Sequence, residues 1–109
     1  MIQINNIEQI NSIIDSKKPV LIYFSGENCS VCKALKPKIE KEVLANFKEF
    51  KLCEIKVDIY KEIASSFSVF SIPTILIFFD SKEFKRYGRN ISIYTFIEEI
   101  RRPYNLLME

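Results

Sequence analysis

The chain has 109 residues, 48% hydrophobic and 28% charged, with 16 basic and 14 acidic side chains for a net charge of +2. This composition fits one globular domain with a real core, expected over residues 1–109, and not a disordered chain. With no histidine and no tryptophan, the chain cannot house Ser-His-Asp or Cys-His hydrolysis or His-ligated metal chemistry, and the scattering of its basic residues among acidic ones argues against nucleic acid as a partner. Met1–Ile4 is a short strand candidate. Asn6 is placed to cap a helix in which Ile7, Ile10, Ile13 and Ile14 recur at helical spacing as far as Ser16. Val20–Phe24 (VLIYF) is continuously apolar, as expected of a strand covered on both faces, and Ser25–Asn28 turns the chain out of it.

A second helix is predicted from about Cys29 to Lys48, with Ala34, Leu35, Ile39, Val43 and Phe47 inward and Pro37 kinking it part-way. Lys36, Lys38, Lys41 and Lys48, interleaved with Glu40, Glu42 and Glu49, read as its solvated face. Leu52–Asp58 alternates, with Cys53, Ile55 and Val57 on one face and Glu54 and Lys56 on the other. Ile59, Ile63 and Phe67 mark a short third helix, and Pro73 precedes an apolar strand, Thr74–Phe79. Asp80–Glu83 reads as a hairpin turn, Phe84–Tyr87 as an antiparallel edge strand broken by Gly88, and Ser92 as the cap of a last helix ending near Pro103. The order βαβαβαββα implies an α/β architecture of three layers: a central mixed sheet with helices on both faces and a hairpin closing one edge.

Met1–Gln9 carries no basic residue, and the apolar run Ile75–Phe79 is far too short to cross a bilayer. A cytoplasmic chain without a membrane partner is therefore expected. About two-thirds of the surface of an unfolded chain this long is buried on folding, so no disulfide staple is needed. In a reducing compartment, three cysteines with two close together suit redox or metal work better than a disulfide framework.

Cys29-Ser30-Val31-Cys32 lies where the buried strand ends and the second helix begins. Unpaired N–H groups and positive dipole character at a helix N-terminus stabilise a thiolate at Cys29, lowering its pKa from about 8.5 toward or below 7. The first turn keeps Cys32 within disulfide reach, and Lys33 adds positive charge. Structural zinc takes four ligands, and with only Cys53 left over the metal reading would need carboxylates or a second copy of the chain. Cys53 itself reads as an inward-facing core thiol. The phenylalanines and the isoleucine stripes belong to the core and imply no cofactor.

Here the sequence resembles the thioredoxin family over almost its whole length. VLIYF leads into C-S-V-C-K, Pro37 stands at the spacing of the family's helix-kinking proline, Val57-Asp58 ends the next strand, Ser71-Ile72-Pro73-Thr74 is similar to the family's cis-proline segment, and Gly88 matches the glycine after the final hairpin strand. The resemblance implies thiol–disulfide exchange, with Cys29 as nucleophile, Cys32 as resolving thiol and a cis Pro73 across the substrate groove. It also implies disulfide-containing protein substrates, which would lie beside Asn28, Ile72 and Pro73, and an external reductase of the thioredoxin-reductase type for recycling. A trans bond is the commoner state of any X-Pro pair; the resemblance favours cis.

The departures are specific. Asn28 stands where the family carries tryptophan, and it also suits a turn or a helix cap. Ser30-Val31 replaces Gly-Pro, restoring an N–H at Val31 and adding a hydroxyl, which favours the thiolate and a less reducing couple. Tyr23 and Glu54 replace the family's buried aspartate and lysine. Tyr23 is a poor base, so a partly buried Glu54 with a raised pKa is the substitute candidate for accepting the Cys32 proton. Competing readings are a disulfide oxidant or isomerase, a binding module with little turnover, and a metal or cluster carrier that shares the cysteine pair across a dimer.

Overall fold

A computed structural model describes residues 1–109. Five strands form one mixed sheet in the order β1-β3-β2-β4-β5: β1 Ile2–Gln3, β2 Val20–Ser25, β3 Lys51–Lys56, β4 Thr74–Phe79 and β5 Lys82–Tyr87. β1 and β2 both run parallel to β3, while β4 is antiparallel to β2 and to β5. The helices are α1 Ile7–Asp15, α2 Ser30–Asn46, α3 Lys61–Ser66 and α4 Ile93–Met108.

The alternation of side chains along each strand divides the core into two layers. Leu21, Tyr23, Leu52, Ile75 and Ile77 pack beneath α2 and α4 with Ile39, Val43, Phe96 and Ile100. Val20, Ile22, Phe24, Cys53 and Ile55 pack on the opposite face with Ile10 and Ile14 of α1 and Ile63 of α3. β2 is central and every one of its residues is buried, as its unbroken apolar run requires. Cys53 is a free, fully buried thiol on the α1/α3 face, where burial pushes its pKa up to about 11.

Several element ends differ from the sequence expectation. α2 stops at Asn46 because Phe47 is extended, and its ring packs against Phe50 and Tyr104. Ala34, expected inward, is exposed. β3 ends at Lys56, where the N–H groups of Ile59 and Tyr60 both bond to the Lys56 carbonyl and turn the chain. Ile59 is consequently exposed and α3 begins only at Lys61. That helix ends at Ser66, and Ser68, two residues on, adopts a left-handed conformation (φ 56°). The hairpin turn is tighter than expected: Asp80 and Ser81 both have positive φ, as a two-residue primed turn requires, so β5 starts at Lys82.

The largest difference is α4, which runs through Pro103 to Met108. An interior proline removes a helical N–H and crowds the preceding turn. Tertiary packing overrides it: Tyr104 is buried, stacks on Phe50, lies 4.7 Å from Phe47 and accepts the Glu49 N–H on its hydroxyl at 3.0 Å. Arg101, one turn earlier, lies over the Phe47 ring and donates to Asn46. Replacing Tyr104 by Ala is expected to cost about 3–5 kcal/mol of unfolding free energy in denaturant titrations. Replacement by Phe, which loses only the hydroxyl contact, should cost about 1 kcal/mol.

Candidate active site

β2 delivers the chain to the site. The turn that follows it, Ser25–Asn28, is pinned by the two residues after β3: the Val57 N–H bonds to the Ser25 carbonyl at 2.8 Å, and the Asp58 carboxylate accepts the Glu27 N–H at 3.1 Å. A Cβ on Gly26 would stand 2.9 Å from the Ile72 side-chain tip, so Ile72 lies directly over this turn. Thr74 pairs with Phe24, which brings Ile72 and Pro73 to the same end of the sheet. The Ile72–Pro73 peptide bond is cis and Pro73 is buried.

Cys29, not Asn28, caps α2. Its backbone is extended and its Sγ accepts the Cys32 N–H at 3.2 Å. Cys29 and Cys32 form a disulfide with a Cα–Cα distance of 5.2 Å. Cys29 is partly exposed, whereas Cys32 is only 2% exposed. The two sulfurs therefore differ in access by construction, because the cap position lies at the edge of the core, partly open to solvent, and the third helical residue points into it. Asn28, Ser30, Val31 and Lys33 are exposed around the pair. Ile72 is half-buried, and its carbonyl accepts from the Arg89 guanidinium at 3.4 Å.

The Glu54 carboxylate beneath the sheet end is 3% exposed and fully engaged: Gln3 donates to it at 2.6 Å, the Ser25 hydroxyl at 2.7 Å and the Lys36 ammonium at 2.8 Å. This corrects the expectation of a raised pKa. Burial alone would raise it, but the three hydrogen bonds and the Lys36 charge outweigh burial and bring it down to about 2. Glu54 is thus a fixed anion at neutral pH and a poor proton acceptor. Lys36 is likewise no part of a solvated face; its side chain is half-buried against Glu54. Tyr23, fully buried, donates its hydroxyl to the Cys32 carbonyl at 2.7 Å. Burial, with the Glu54 charge adding to it, raises the phenol to about 12.

Gln3, Ser25, Lys36 and Arg89 escaped the sequence reading. A signal existed for Lys36, which stands four residues after Cys32 and hence on the same helix face. Gln3 and Ser25 are found only through strand register, in which Gln3 and Tyr23 both lie opposite Glu54.

A folded-state carboxyl value below the unfolded one stabilises the protein above the unfolded pKa, and that contribution disappears as pH falls through the folded value. Glu54→Gln should therefore destabilise the fold by about 1–3 kcal/mol near neutral pH, the worth of hydrogen bonds to a charge. The gap from wild type should close as the pH falls from the ordinary value of 4.5 toward about 2. Denaturant unfolding across this range measures it; a gap independent of pH would contradict the account.

Known proteins share both the pattern and the architecture. The family model for thioredoxin matches residues 1–102. The thioredoxin-like protein YdfQ of Bacillus subtilis is 34% identical over 106 residues, covering 97% of this chain and 94% of that protein. The thioredoxin of Mycoplasma genitalium is 30% identical over 84 residues, covering 77% and 81%. Among solved structures, oxidised mitochondrial thioredoxin 3 from Saccharomyces cerevisiae has the same fold, with a TM-score of 0.81 at 20% identity and 93% of each chain covered. A dithiol pair at a strand-to-helix junction, in a sheet of this order, is here joined to sequence similarity along nearly the full chain: the protein belongs to the thioredoxin family and is a thiol–disulfide oxidoreductase.

Proposed function

We propose that residues 1–109 act as a single domain that reduces protein disulfides, with Cys29 as the attacking thiolate and Cys32 as the resolving thiol. The observation that carries this reading is the asymmetry at the head of α2: Cys29 is the partly exposed cap whose sulfur accepts an N–H, and Cys32 is buried. Helix N-terminal N–H groups favour a thiolate. Cys29 Sγ attacks one sulfur of the substrate disulfide, that bond breaks, and the other substrate sulfur leaves as a thiolate. Cys32, as thiolate, then attacks Cys29 Sγ, expels the second substrate sulfur and closes the Cys29–Cys32 disulfide. The substrate gains two electrons and the dithiol loses them, so an external reductase, which we take to be thioredoxin-reductase-like, must restore the pair.

With Glu54 held as an anion and the Tyr23 hydroxyl tied to the Cys32 carbonyl, the Cys32 proton passes to water or to the departing substrate thiolate. Ile72 and Pro73 form the substrate-facing edge, where Ile72 offers backbone for strand-like pairing once the Arg89 contact to its carbonyl is given up. Asn28 borders the same groove in place of a bulky aromatic side chain. Ser30, Val31 and Lys33 tune the couple from the exposed first turn. A cytoplasmic setting belongs to this reading, since a reducing poise keeps the dithiol charged and the free Cys53 reduced.

Two experiments test it. Incubated with a protein disulfide such as insulin, Cys32→Ser should accumulate a covalent mixed disulfide and Cys29→Ser should not; the reverse pattern would overturn the assignment. Val31→Pro removes one N–H from the first turn. In glutathione equilibria it should make the couple more reducing by about 30 mV, equivalent to about 1.4 kcal/mol for two electrons, whereas an unchanged or more oxidising couple would exclude backbone tuning at Val31.

A further inference from the structure

Cys32 is held at both its N–H and its carbonyl by partners other than the helical ladder. Its N–H donates to Cys29 Sγ at 3.2 Å, and its carbonyl accepts the Tyr23 hydroxyl at 2.7 Å. The second contact is the unusual one. A helical carbonyl ordinarily takes the N–H four residues on as its partner, whereas here a fully buried phenol reaches it from the central strand. The phenol is itself fixed: Tyr23 pairs with Glu54 of β3 and Ile75 of β4, and its ring packs in the core layer that also contains Cys32 and Ile39.

The first turn of α2 needs an anchor of this kind. Pro37 has no N–H, so the Lys33 carbonyl lacks its helical donor and the ladder joining the first turn to the rest of α2 is one bond short. A cysteine has a single side-chain torsion, with about three staggered positions, and the burial of Cys32 narrows them further. Where the Cys32 backbone is held, its sulfur is held. Because the hydroxyl grips the carbonyl and not the sulfur, the contact does not depend on whether the two sulfurs are joined, and the phenol keeps its proton to donate at any ordinary pH.

We propose that Tyr23 is a positioning residue for the second half of the exchange: by tying the Cys32 carbonyl to β2, it keeps the Cys32 sulfur within attacking distance of Cys29 while Cys29 carries the substrate. The proposal rests on the reading above of Cys29 as attacker and Cys32 as resolving thiol. In that step Cys32, as thiolate, forms a bond to Cys29 Sγ, the bond from Cys29 to the substrate sulfur breaks, and the substrate sulfur leaves with the electron pair. Tyr23 exchanges no proton in it. Its contribution is orientation, and misplacing a reacting group by about 1 Å can cost about 10²-fold in rate. The first attack, made by the partly exposed cap, does not draw on it.

The test separates the two steps in the full chain, using a fluorescent peptide disulfide and acid-quenched samples. In Tyr23→Phe, which keeps the ring, the mixed disulfide on Cys29 should resolve about tenfold more slowly than in wild type, equivalent to about 1.4 kcal/mol, and by the same factor at every pH across the neutral range. The first attack, followed in Cys32→Ser with and without Tyr23→Phe, should be unchanged. Tyr104→Phe, which loses a hydroxyl contact to Glu49 instead, should slow neither step. Wild type itself should show a slowly exchanging Tyr23 hydroxyl proton by NMR in both the oxidised and the reduced protein, a reading that needs no variant. Resolution as fast in Tyr23→Phe as in wild type, a slowdown shared by both steps or by Tyr104→Phe, a slowdown that varies with pH, or loss of the hydroxyl signal on reduction overturns the positioning role and leaves the exchange reaction standing. A wild type that forms no mixed disulfide, or a Cys29→Ser variant that traps one, overturns the reaction or its assignment first and the role of Tyr23 with it.

Discussion

The site depends on one placement: a central strand buried on both faces ends in a four-residue turn, and the next helix begins on a cysteine. Because β2 is hydrogen-bonded on both edges and covered on both sides, its end is fixed in space. Val57 and Asp58 hold the turn that follows, and the Ile72 side chain lies over Gly26. Cys29 then has little choice but to cap α2 with its sulfur, and Cys32, three residues on, points into the core. Unequal exposure of two otherwise identical thiols follows from helix geometry and needs no further device.

The charge beneath the pair is arranged differently from the aspartate and lysine that the family carries on these strands. Here the strand positions hold Tyr23 and Glu54, and the cation comes from the helix, as Lys36. A buried carboxylate with three donors keeps its charge at any ordinary pH, and a phenol that donates to a carbonyl beside that charge keeps its proton. The network links β1, β2, β3 and α2 through Gln3, Ser25, Glu54 and Lys36. Its work is to fix the floor of the site, and in the proposed mechanism the proton exchange of Cys32 is left to solvent and substrate.

Much of this was legible in the sequence because it rests on local rules. Unbroken VLIYF, the alternation around Cys53 and Glu54, and the Asn6 and Ser92 caps place strands and helices without knowledge of their partners, and the structure has each cap side chain accepting from its helix. What escaped depends on contacts between distant segments. The passage of α4 through Pro103 is decided by Tyr104 meeting Phe47 and Phe50. The ionisation of Glu54 is decided by Gln3 from another strand and Lys36 from another layer. Burial predicts a raised carboxyl; only the donor count reverses the sign. Phe70 reads from sequence as one more core phenylalanine, and only the bonds from Arg86 to Phe67 and Ser68 reveal a loop held with that ring outside.

The central claim is that position alone singles out Cys29 among three thiols, and competitive alkylation of the reduced protein tests it most directly. With limiting iodoacetamide near neutral pH and the modified residues mapped by mass, Cys29 should be alkylated well before Cys32, and Cys53 should react only on unfolding. Alkylation of Cys32 as fast as Cys29, or of Cys53 in the native protein, would contradict the account.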